Sequence, residues 1–73
     1  MADDNRVAER RLEDLLMSMR WHRTYREVYR NEGATAGVER CDSLLKLDYA
    51  LIRSYCAEHG LELPHDVPPE DAA

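Results

Sequence analysis

Residues 12–30, LEDLLMSMRWHRTYREVYR, change their apolar side midway without containing a residue that breaks a helix. At about 100° per residue, Ala8, Leu12, Leu15, Leu16 and Met19 share one side, and Met17, Trp21, Tyr25 and Val28 share nearly the opposite one. Past the swap, near residue 20, Arg23, Arg26 and Arg30 follow each other at spacings of three and four, in the direction that Leu12 and Met19 took before it. One helix is therefore expected to serve two surfaces. The alternative is a break near residue 20, giving two shorter helices; no proline or glycine accounts for one.

Outward from this stretch, residues 6–32 contain neither Pro nor Gly. They predict one helix of about 26 residues, near 40 Å long. Asp3, Asp4 and Asn5 are candidate N-caps, and the two carboxylates suit the positive end of the helix dipole. Residues 31–35 read as a turn, with Gly33 in the left-handed conformation and Thr35 capping the next helix. So short a connection predicts that the second helix runs back antiparallel to the first.

The second helix, 36–59, carries a broad apolar stripe of Cys41, Leu44, Leu45, Leu51, Ile52, Tyr55 and Cys56. It stops at Gly60, with Leu61 placed for the apolar contact that accompanies a glycine cap. Pro64, Pro68 and Pro69, with Glu62, Asp66, Glu70 and Asp71, then predict an extended acidic tail that becomes disordered towards its end. Leu61, Leu63 and Val67 are its docking residues. Seven extended residues span about 23 Å, far enough to bring Val67 back beside Met17. The expected organisation is an all-α helical hairpin over 1–60 and a partly docked tail over 61–73.

With 73 residues, the chain buries only about 60% of the surface its unfolded form exposes. A second subunit is the natural reinforcement, because an intramolecular hairpin covers only one of the two apolar sides of the first helix well. The expected assembly is a homodimer, two hairpins forming a four-helix bundle. Disulfide reinforcement is excluded on this reading: Cys41 and Cys56 on one helix stand about 22 Å apart. Two free thiols, no apparent signal peptide and no long apolar run point to the cytoplasm and away from a membrane.

The net charge of −5 is divided unevenly. Residues 6–30 hold seven Arg against four acids, and residues 31–73 hold three cations against nine acids. A basic first half and an acidic second half favour self-association or an electrostatically chosen partner.

The antiparallel register places Asp48 beside Ser18 and His22. A serine, a histidine and an aspartate in one place suggest a hydrolytic triad, but nothing resembles a nucleophile elbow. Two facing helices also leave few free amides for an oxyanion. The favoured reading is a buried polar pair, His22 and Asp48, that satisfies a carboxylate interrupting the stripe and fixes the register. Cys56 and His59, one turn apart, form a single pair where a structural zinc site takes two. No metal or cofactor is expected, and the small hairpin offers no pocket for an enzyme.

Arg20, Trp21, Arg23, Tyr25, Arg26 and Arg30 are the expected partner-binding residues. Cations interleaved with aromatics suit nucleic acid, whereas a pI near 5.0 suits a protein partner better. No motif identifies a family. The sequence thus points to a small, non-catalytic regulatory or inhibitory module that binds a protein of unknown identity through its helix faces. The alternatives are an RNA- or DNA-binding protein using the Arg row, and an acidic mimic of nucleic acid.

Overall fold

A computed structural model describes residues 2–69, with residues 2–5 described by their backbone alone. Two helices, α1 (Ala2–Asn31) and α2 (Thr35–His59), form an antiparallel hairpin without strands among the described residues. α1 is continuous through residue 20. The apolar swap therefore marks a change of surface, not of element, as expected where no residue interrupts the hydrogen-bond ladder.

The turn is built by Gly33, whose φ of 72° carries the chain through the left-handed region. Ala34 N–H donates to Tyr29 C=O at 2.8 Å and Gly33 N–H to Arg30 C=O at 3.1 Å, the paired bonds of a Schellman ending. Gly60 ends α2 in the same conformation, and Leu61 N–H donates to Cys56 C=O at 2.9 Å.

Both expected N-caps are corrected. The backbone is already helical at Ala2, so Asp3, Asp4 and Asn5 lie inside the first turn. Ala34, not Thr35, precedes α2 and makes no side-chain cap. The Schellman ending fixes Gly33 and Ala34 so tightly that α2 begins at the next residue.

The core lies along one seam. Leu16, Met19, Leu45, Ile52 and Cys56 are buried together with Val67, and Leu12, Leu15, Tyr49, Leu61 and Leu63 pack around them. Ala8 and Cys41 are also buried. Leu51, read as part of the α2 stripe, is instead 55% exposed. Two helices and the tail segment close over a narrower arc than that stripe spans, and its edge stays outside.

Residues 61–69 dock over this core, and Val67 is one of its most deeply buried side chains. The segment turns instead of remaining extended, since Val67 N–H donates to Pro64 C=O at 3.1 Å. Val67 consequently meets Leu16, Met19 and Ile52, while Met17 stays 60% exposed. The expected disorder of the tail's end falls on 70–73, outside the described residues.

The result is a slab of 48 × 24 × 16 Å with a radius of gyration of 14.0 Å, against about 11 Å for a compact domain of this length.

Candidate functional site

Of the two sides of α1, the one reading Ala8, Leu16, Met19 is buried, and the one reading Met17, Trp21, Tyr25, Val28 faces water. The exposed row has internal order. Trp21 and Tyr25, four residues apart, stack with ring centroids 5.7 Å apart and 26° between planes, within the range where aromatic pairs attract. Met17, Arg20, Trp21, Thr24 and Glu13 line an open depression along this one helix. Thr24 Oγ1 donates to Arg20 C=O at 3.0 Å.

The arginines of the expected site are engaged within the chain. Arg20 Nε and Arg23 Nη1 each donate to Asp66 Oδ2 at 3.3 Å, fastening the tail. Arg26 Nη1 donates to Asp42 Oδ1 across the hairpin at 3.0 Å, and Arg30 Nη1 to Glu27 Oε1 on its own helix at 3.1 Å. Burial raises the Asp66 carboxyl, but the hydrogen bond and charge of Arg20, joined by the charge of Arg23, outweigh it and hold the group below its ordinary value. Arg53 Nη1 adds a bond to Pro68 C=O at 2.9 Å on the other side of the tail. Asp66 was read from the sequence only as one of the tail's acids, and nothing local marked it as the clamp. Spacing alone could have hinted at it, since Arg20 and Arg23 share a face.

His22 and Asp48 meet across the helices. The His22 Nδ1–H donates to Asp48 Oδ2 at 2.5 Å, with the two side chains 27% and 15% exposed. The pair is thus half-buried, and the fully buried core is apolar among the described residues. Ser18 is exposed and makes no side-chain hydrogen bond to either member. Without a serine against the imidazole, the arrangement cannot activate a nucleophile. It can hold register.

His22 also lines, with Tyr25, Tyr29, Arg40, Cys41 and Leu44, an open depression between the helices. Helical spacing sets Leu47 and Leu51 beside Leu44 and Asp48. Both leucines are exposed, at 64% and 55%.

Cys41 and Cys56 are buried free thiols. Burial pushes the Cys56 thiol up, and its Sγ points to Glu62 C=O at 3.9 Å. His59 lies tilted against Tyr55, ring centroids 4.3 Å apart and 38° between planes, near the end of α2. Among the described residues, no three His, Cys, Asp or Glu side chains are placed to hold a metal ion, and no helix is long and apolar enough to cross a membrane.

No family model, curated protein or solved structure matches the chain.

Proposed function

We propose that the chain is a small, non-catalytic regulatory or inhibitory protein-binding module that acts through helix-face contacts, as a homodimer of two hairpins packed into a four-helix bundle. The observation that carries this reading is the contrast along residues 20–30. The stacked Trp21–Tyr25 pair faces water, while Arg23, Arg26 and Arg30 are each bonded to a carboxylate of the same chain. Phosphate affinity grows with the number of cations free to displace counterions, and neutralised arginines contribute little to it. A half-exposed Trp beside Tyr and Arg has the composition of a protein-interface centre. As part of the same proposal the module works in the cytoplasm, a setting that suits the two separate thiols.

The test is capture by immobilised wild-type chain from nuclease-treated and untreated lysate, beside a Trp21→Ala variant. The reading expects a defined protein bound in both lysates and at least tenfold less of it on Trp21→Ala, a loss in keeping with an interface aromatic. Binding of RNA or DNA by wild type at physiological salt, lost on reversing Arg23 and Arg26 to Glu, would overturn it in favour of the nucleic-acid reading.

A further inference from the structure

We infer that residues 61–69 are a displaceable ligand held in cis, and that the groove beneath them is a second binding site, for a short acidic peptide of a partner protein in which a turn sets an aspartate beside an aliphatic residue. The site is separate from the Trp21–Tyr25 ridge and does not depend on what the ridge binds.

What the groove recognises is seen directly, because the chain's own tail sits in it. The floor is apolar: Val67 is buried with Leu16, Met19 and Ile52. The walls are cationic and come from both helices, Arg20 and Arg23 of α1 holding the Asp66 carboxylate and Arg53 of α2 holding the Pro68 carbonyl. The shape of the seated segment is local, a turn closed by Val67 N–H on Pro64 C=O, so a free peptide of the same sequence can form it. Pro64, Pro68 and Pro69 lower the conformational entropy that such a peptide loses on binding.

Two observations mark the tail as exchangeable. The first is that α1 and α2 are joined without it: Gly33 turns the chain, and Arg26–Asp42 and His22–Asp48 tie the helices together with no tail residue involved. Past Leu61, no backbone N–H of the described tail donates to either helix, so no ladder of main-chain bonds locks it down. The second is an imperfect fit. Arg20 Nε and Arg23 Nη1 share one oxygen, Asp66 Oδ2, at 3.3 Å, longer than the roughly 2.7–2.9 Å of a well-formed charge-assisted bond. Asp66 Oδ1 is buried with no hydrogen-bond partner among the described residues. A peptide without the tether at Gly60 is free to turn both oxygens to the two guanidinium groups, which favours it over the tail residue for residue. The tail's advantage is that tether, which acts at an effective concentration on the order of 1 mM. A tail that stays docked therefore has an intrinsic dissociation constant below that value.

Fluorescence anisotropy of a labelled peptide LELPHDVPP, the sequence of residues 61–69, titrated with the full chain tests the site. The comparison is full-length Val67→Asp, whose own tail is lifted by a carboxylate placed on the apolar floor. The expected result is binding to Val67→Asp with a dissociation constant below about 1 mM, and at least about tenfold weaker binding to wild type, where the tail competes. Arg20→Glu/Arg23→Glu in the Val67→Asp background should weaken binding about tenfold. A peptide with its Asp and Val exchanged should bind as weakly, and Trp21→Ala should leave the affinity unchanged. In methyl NMR spectra the peptide should shift Leu16 and Ile52 and leave Val28 in place. Circular dichroism checks folding, and where Val67→Asp loses helix, Val67→Ala gives the same comparison with a smaller lift. A folded, tail-lifted chain that fails to bind at about 1 mM, or that binds the exchanged peptide equally well, overturns the site. A wild-type dimer that the peptide dissociates gives the groove to a second copy's tail and overturns the partner peptide as its ligand.

Discussion

Gly37 of α2 faces the ring of Tyr29 on α1 so closely that a Cβ at residue 37 would stand 2.6 Å from Tyr29 Cγ. The contact is to the root of the ring, so a methyl there forces the whole side chain to another rotamer.

Gly37→Ala should therefore lower the melting temperature although alanine favours a helix by up to about 1 kcal/mol. In a Tyr29→Ala background the obstacle is gone, and the same substitution should raise it. Thermal unfolding of the four chains in this cycle gives the sign directly. Stabilisation by Gly37→Ala in both backgrounds would show that the ring gives way freely.

Acid should release the tail. The folded value of Asp66 lies below its unfolded value near 3.8, so its contribution is fully present above the unfolded value and is lost as pH falls through the folded one. Asp66→Asn should cost no more than about 1 kcal/mol at neutral pH, since the pairs with Arg20 and Arg23 are partly solvated. The difference between wild type and variant should shrink as pH falls below about 3.8 and vanish once the folded-state carboxyl is itself protonated. A difference that persists there would mean that shape, not charge, makes the contact.

At Asp48, Asn should be milder than Ala. Asp48→Ala leaves the His22 Nδ1–H without its partner in a half-buried place, at a cost of about 1 kcal/mol. Asp48→Leu should melt at or above wild type, because packing replaces the polar pair. Chemical denaturation of all three variants checks the order, and equal stability of wild type and Asp48→Ala would show that water serves His22 as well.

Ile52 and Leu51 are neighbours in sequence with opposite fates. Ile52 is fully buried and Leu51 is more than half exposed. Ile52→Ala should cost about 3 kcal/mol, a large share of what so small a domain possesses. Leu51→Ala should be nearly neutral in the dilute monomer and cost stability only where chains pair. A concentration-independent loss at Leu51 would place it in the hairpin's own core.

The continuous α1 and the turn at Gly33 were legible because each depends on local chemistry: no breaker in 6–32, and one residue able to adopt a positive φ. The edge of the α2 stripe was not. Whether Leu51 lies inside or outside depends on how much of the arc the other elements cover, which periodicity does not contain. The His22–Asp48 encounter was readable because an antiparallel hairpin fixes its register through the length of its turn. Asp66 on Arg20 and Arg23 was not, because the tail reaches that place by a turn at residues 64–67 that three scattered prolines do not specify. The sequence marked cations beside Trp21 and Tyr25 but could not tell that Arg23, Arg26 and Arg30 have acids of their own.

Cys56 sits beneath the tail, its sulfur directed at the Glu62 carbonyl and its thiol made harder to ionise by burial. A thiol in that position is alkylated only when the cover lifts, so the rate at which a small reagent labels it counts openings of the tail. Cys41, buried elsewhere along α2, supplies an internal clock for openings that do not involve residues 61–67. The ratio of the two labelling rates in one sample would give the difference in free energy between undocking of the tail and the opening that exposes Cys41, without a probe being added to the chain.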